Sequence, residues 1–407
     1  MNHQVFPSRQ DFSVAHQALF CLLGASELRN DAESLLRGFE LEDWERLAHL
    51  ALVRHRAGPI VWENLKVLAL EALGAPVFVR QKFEEASLHA VRDALVAKAE
   101  TVRITRALND IGIEPICLKG WPLEEQLKGS VGRRTLRDLD LIVAEDQMMA
   151  TISALDDLGY ECIDKECLTS QRRLSFWLRL FKHIEFMNRD TGFVIDLHAR
   201  PFANRRLLPT AELKLLRVSL GTGDAAAYRL LIPDPASNFL YLSVHGFLHR
   251  WERLKWLVDI PPLVALLSDS DWLQILERTK RLRLTRPVGT ALALTNELLG
   301  MDIPPVAKPM SETPPVKLFR KICVREILAE RNPQRTWRSL GSITGQLAAE
   351  HGVSTDVRTF FAGFGPKLVS KQALKSSNSL PDDWLFTLYL TRPISLPSGI
   401  WRMFRRR

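Results

Sequence analysis

Asp138-Leu139-Asp140-Leu141-Ile142-Val143 alternates between acidic and apolar residues over its first half. Side chains along a strand point to opposite faces in turn. Read as a strand, the run sends Asp138 and Asp140 to one face and Leu139, Leu141 and Val143 to the other. One face packs and the other is acidic. Further on, His183-Ile184-Glu185-Phe186-Met187 alternates, Arg189-Asp190-Thr191-Gly192 has turn chemistry, and Phe193 to Ala199 alternates again. Val194, Asp196 and His198 share one face of that last run. A third carboxylate is therefore expected mid-strand, in a hairpin able to pair beside the first acidic strand.

The flanking segments read differently. Ile113 to Leu118 is a short apolar run suited to a buried strand. Lys119-Gly120 interrupts it, and Trp121-Pro122 opens a short helix, with proline near the first helical position. A loop rich in glycine and arginine follows, with Gly129, Gly132, Arg133, Arg134 and Arg137. Apolar spacing predicts a helix from about Asp146 to Leu158, closed by Gly159. Before residue 110 the chain reads as helical, with a long unbroken run from Phe78 to Asn109. Beyond Pro209 it is expected to return to helix, over Ser237–His249, Arg253–Leu267 and Trp272–Leu299. Pro304, Pro305, Pro309, Pro314 and Pro315 suggest a linker.

The expected fold is α+β, a small mixed β-sheet core flanked by helical N-terminal and C-terminal regions. The expected domains are a helical N-terminal domain (1–110), the sheet core (111–205), a helical domain (206–305) and a C-terminal region with a basic tail (306–407).

Composition narrows the class. A 407-residue chain with 46% hydrophobic content can bury a large core. The net charge of +8 can attract nucleotides, nucleic acid or anionic surfaces, but Arg402, Arg405, Arg406 and Arg407 crowd the end, where a solvated tail accounts for them. The aromatic-basic interleaving of a single-strand platform is missing, which leaves nucleic acid a weakly supported partner. Cys21, Cys117, Cys162, Cys167 and Cys323 are odd in number and scattered, as in a reduced, cytoplasmic protein with buried thiols. Met1 to Phe12 lacks the apolar core of a signal peptide. No stretch reaches the roughly 20 apolar residues of a membrane span.

Carboxylates on the same face of neighbouring strands suit one kind of chemistry. Phosphoryl and nucleotidyl transfer need a triphosphate held in line and its charge neutralised. Hard oxygen ligands suit Mg²⁺, or Mn²⁺ in its place. Asp138 and Asp140 would face one metal pair, whose ions lie about 3.5–4 Å apart in two-metal sites. Asp196 would complete the site or accept the acceptor's proton. Lys119 and Gly120, at a strand end opening a helix, are the candidate phosphate cradle. Arg133, Arg134 and Arg137 precede the acidic strand and could contact the polyphosphate.

Leu118-Lys119-Gly120 followed by Arg134-Thr135-Leu136-Arg137-Asp138-Leu139-Asp140-Leu141-Ile142-Val143 resembles a bacterial nucleotidyltransferase-like family, a branch of the DNA polymerase β-like superfamily. Asp196-Leu197-His198 matches a second block of that family. His245-Gly246, Trp251 and Arg253-Leu254-Lys255-Trp256-Leu257-Val258-Asp259 match a later helical one. The resemblance covers roughly residues 40 to 265. It implies metal ligation by Asp138 and Asp140, and a ligand or base role for Asp196. The chain departs from the wider superfamily where Lys119-Gly120 stands in place of Gly-Ser or Gly-Gly, at a longer spacing from the acidic strand.

The expected activity is metal-dependent transfer of a nucleotidyl group from an NTP to a hydroxyl or amine acceptor, on a small molecule, peptide or protein. Two alternatives stay open: a phosphotransferase of the same fold, or a protein of that fold that binds nucleotide or a partner without turnover. Plainer readings also stand beside the residues. An acidic strand face can be solvent-facing, Lys119 a surface lysine, and Arg134 and Arg137 loop charges. His183, His198, His245, His249 and Asp259 can belong to hydrogen-bonded networks, and Trp251 and Trp256 to the core.

Overall fold

In a computed structural model, the structure describes residues 12–128, 132–134, 136, 138–219, 228–329, 369, 371–376 and 380–390. Arg137, Gly129, the first residues of the chain and the basic tail lie outside them. The chain forms two compact units, each drawn from separated stretches. One comprises residues 1–99, 120–136 and 235–353; the other comprises 100–119, 137–234 and 354–407.

The second unit holds a seven-stranded sheet. Its strands are β1 (Ile116–Cys117), β2 (Asp138–Ile142), β3 (Tyr160–Cys162), β4 (His183–Asn188), β5 (Val194–His198), β6 (Leu215–Ser219) and β7 (Arg229–Pro233). Their spatial order is β3-β4-β5-β2-β1-β7-β6. The β2–β5 and β1–β7 pairs are parallel and the others antiparallel, so the sheet is mixed. The fold is therefore α+β, a mixed sheet with flanking helices, as the residue pattern indicates. Leu139, Leu141, Ile184, Phe186, Ile195 and Leu197 are all buried. Burying such side chains contributes roughly 1.5–3 kcal/mol each.

Local ties set the strand positions. Asn109, near the end of the long helix Val77–Asp110, donates to the carbonyls of Ile113 (2.9 Å) and Arg229 (3.2 Å) and accepts from the Arg229 amide (2.6 Å). The indole of Trp177, on the helix Gln171–Leu180, donates to the His183 carbonyl at 3.0 Å and anchors the start of β4.

Two expectations are corrected. The chain does not return to helix directly after Pro209, because β6 and β7 come first. β6 hides from pattern reading because its residues are half-buried or exposed without alternation. The prolines from 304 to 315 do not form a linker. They open short helical segments and the helix Pro314–Leu328, where proline's fixed φ and missing N–H are tolerated in the first turn.

The first unit is helical. Its helix Pro235–Leu248 is buried over most of its length. Arg250 and Trp251 follow with φ of 54° and 51°, a left-handed pair that turns the chain back. The Trp251 amide then donates to the Gly246 carbonyl at 2.8 Å. A Cβ on Gly246 would meet the Trp251 ring at 2.5 Å, so only glycine admits the fully buried indole. Arg54 staples the unit elsewhere, donating to the carbonyls of Glu252, Glu326 and Ala329 at 2.6, 2.6 and 2.7 Å. Among the described residues no helix is long and apolar enough to cross a membrane.

Gly246→Ala tests this packing. In an open helix the change stabilises by about 0.5–1 kcal/mol. Here overpacking against Trp251 is expected to destabilise by about 1–3 kcal/mol, read from the urea midpoint. A variant more stable than the parent would contradict the contact.

Candidate active site

The site starts from strand register. Parallel pairing of β2 with β5 sets Asp140 opposite Asp196, and antiparallel pairing of β4 with β5 sets Glu185 opposite Asp196 and His183 opposite His198. Directly paired residues share a face of the sheet. Asp138, Asp140, Asp196, His198, His183 and Glu185 thus lie on one face. One carboxylate oxygen from each of Asp138, Asp140 and Asp196 lies within 4.8 Å of the others, close enough to share a cation.

Asp140 is the buried member of this trio, only 4% exposed. Its Oδ1 faces His198 Nε2 at 3.1 Å, and its Oδ2 pairs with Lys119 Nζ at 3.0 Å. The Leu118 amide donates to the Asp140 carbonyl at 3.3 Å, which carries the β1–β2 pairing to the residue before Lys119. The Cys117 thiol donates to the Lys119 carbonyl at 3.2 Å. Gly120 then turns with φ of 85°, in the left-handed region where a side chain is strained. The helix Trp121–Lys128 begins immediately after it.

The charges shift one another. Burial opposes ionisation of Asp140, but Lys119, His198 and Lys182 outweigh it and hold its carboxyl far below the usual carboxylate range. Burial pushes Asp196 up to about 6, with Asp140, Asp138 and Glu185 adding to the rise and His183 opposing it. Burial pushes His198 down to about 3, helped by Lys182, so the ring is neutral. Lys182 is itself pushed down to about 8 by burial, against the pull of Asp140. It donates to the Pro201 carbonyl at 3.3 Å. Hydrogen bonds from His183 and Lys371 lower Glu185, with burial opposing them.

Lys182, Glu185 and Lys371 are the residues that sequence reasoning missed. Glu185 was within reach, since it alternates in phase with His183. Lys182 directly precedes that strand, and nothing in its neighbours marks it. Lys371 lies far along the chain yet reaches Glu185 at 2.8 Å and Asp164 at 3.3 Å.

The expected phosphate contacts divide. Lys119 stands beside Asp140. Arg134 belongs to the helical unit, where its guanidinium pairs with Asp259 at 2.9 Å. Arg133 pairs there with Glu63. These two arginines line a cavity of about 670 Å³ together with Glu124 and Asp259. His245 and His249 pack with Trp256, and Trp251 is core.

A family model described as an uncharacterised nucleotidyltransferase matches residues 40–300. The match takes in every site residue named here except Lys371. No curated protein and no solved structure matches the chain.

Glu124 yields a pH test. The Gly132 amide donates to its Oε2 at 2.8 Å, while burial pushes the carboxyl up to about 7. A folded-state pKa above the unfolded one favours the protonated fold. Its contribution is full below the unfolded pKa, near 4.5, and is lost as pH rises through 7. Relative to Glu124→Gln, the parent is expected to lose about 3 kcal/mol of stability between those limits. Parallel stability curves across that window would contradict it.

Proposed function

The chain belongs to the uncharacterised nucleotidyltransferase family whose model it matches, and from that premise we propose that it transfers a nucleotidyl group from an NTP to a hydroxyl- or amine-bearing acceptor in a metal-dependent reaction. The observation that carries this reading is the convergence of Asp138, Asp140 and Asp196 on one sheet face.

The donor set fits a hard divalent cation, Mg²⁺ or Mn²⁺: three carboxylates offer oxygens within 4.8 Å of one another, and the ionised form of Asp140 is strongly favoured. Such a cation would neutralise triphosphate charge and polarise the phosphoryl oxygens. Asp138 and Asp140 would ligate it from one strand. Asp196 would ligate it from the neighbouring strand or take the proton of the acceptor. Lys119 offsets Asp140 at 3.0 Å and would turn to a phosphate oxygen when a nucleotide enters. Gly120 supports that role, because its open backbone precedes a helix start. Arg134 pairs with Asp259 within the helical unit, and Arg137 keeps its proposed role toward the polyphosphate. Five free, buried cysteines support a reducing, cytoplasmic setting.

The test is calorimetric titration of each NTP with and without Mg²⁺, followed by product mass. The parent is expected to bind one or more NTPs only with metal, and Asp138→Asn to weaken that binding at least tenfold. Turnover should fall roughly 100-fold or more with it. The product should carry a nucleotidyl rather than a phosphoryl mass. Full Mg²⁺-dependent binding and turnover in Asp138→Asn would sink the mechanism.

A further inference from the structure

The face that carries the carboxylates also carries two imidazoles that the proposed transfer does not use. A ring nitrogen of His183, one of His198 and a carboxylate oxygen of Asp196 lie within 4.8 Å of one another. Cross-strand pairing of His183 with His198 brings the rings to a centroid distance of 5.1 Å. This grouping shares Asp196 with the three-carboxylate trio but differs in chemistry, since two of its three donors are nitrogen.

The hydrogen bonding of the rings points the same way. His198 is fully buried, and its Nε2 faces Asp140 Oδ1 at 3.1 Å. The Nε2 of His183 faces Glu185 Oε1 at 3.5 Å. In both rings Nδ1 is buried and has no hydrogen-bond partner among the described residues. A buried polar atom without a partner is costly unless something else fills its valence. A carboxylate on one ring nitrogen fixes the N–H there and leaves the lone pair on the other. That is the arrangement in which histidine ligates metal, with a carboxylate orienting the ring from behind. Here both rings have it.

We infer that His183, His198 and Asp196 form a nitrogen-containing site for a transition-metal dication such as Fe²⁺, Co²⁺, Cu²⁺ or Zn²⁺, distinct in ligand type from the all-oxygen trio of Asp138, Asp140 and Asp196. Imidazole selects such ions over Mg²⁺, which prefers oxygen. Asp140 and Glu185 orient the two rings. Lys119 and Lys182 place positive charge nearby, so the site binds more weakly than a lysine-free set of the same donors. The site does not depend on nucleotidyl transfer and stands whether or not the chain turns over an NTP.

The test uses the full chain without nucleotide. Co²⁺ is titrated and its visible d–d absorption followed; Cu²⁺ is added separately and pulsed electron paramagnetic resonance is read for nitrogen coupling. The parent is expected to show saturable Co²⁺ absorption and ¹⁴N coupling to Cu²⁺. His183→Gln, at a partly exposed position that should leave the fold intact, is expected to weaken Co²⁺ at least tenfold and to reduce the nitrogen coupling. Asp138→Asn is expected to keep the coupling, which separates failure of this site from failure of the carboxylate trio. His198→Gln, checked by circular dichroism, should act like His183→Gln. Absence of nitrogen coupling in the parent, or Co²⁺ affinity unchanged in His183→Gln, would overturn the inference.

Discussion

The site depends on one constraint, the ionised state of a buried carboxylate. Asp140 sits on a packed strand where water cannot stabilise its charge, and an unpaired buried charge is prohibitive. Lys119 and His198 pair with its two oxygens. Each partner comes from a strand bonded to β2, or from the residues just beyond one. β1 delivers Lys119, and β5 delivers His198 together with Asp196. The register that satisfies Asp140 is therefore the register that gathers Asp138, Asp196, His183 and His198 on one face. A one-residue slip of β5 would turn Asp196 and His198 into the core and leave Asp140 with Lys119 but without His198.

Much of this face was legible from period-two alternation. Asp138 with Asp140, and Asp196 with His198, could be assigned to faces because Leu139, Leu141, Ile195 and Leu197 alternate against them. Lys119-Gly120 could be placed at a strand end because an apolar run precedes it and a proline-bearing helix start follows. Sequence pattern could not supply the parallel pairing of β2 with β5, since alternation shows which face a residue takes but not which strand lies beside it. Lys182 was hidden because its position depends on how the chain enters β4, and Lys371 because its contact spans the long stretch from Glu185. β6 and β7 were missed for want of alternation, and the prolines after Leu299 were read as breakers although each starts a helical turn.

The helical unit solves a different problem. Two of its buried charges are held locally: Arg54 by three carbonyls and Arg134 by Asp259. The family-like block His245-Gly246 with Trp251 has a packing explanation, because the missing Cβ of Gly246 is the space the indole fills. On the sheet face, Nδ1 of His183 and Nδ1 of His198 are buried without a hydrogen-bond partner among the described residues.

The most direct test of the central claim is anomalous scattering from crystals grown with Mn²⁺ and a non-hydrolysable NTP analogue. The account expects a manganese peak within coordination distance of Asp138, Asp140 and Asp196, with the analogue's phosphates against it and Lys119 moved off Asp140. Nucleotide and manganese bound elsewhere, with Lys119 still paired to Asp140, would contradict it.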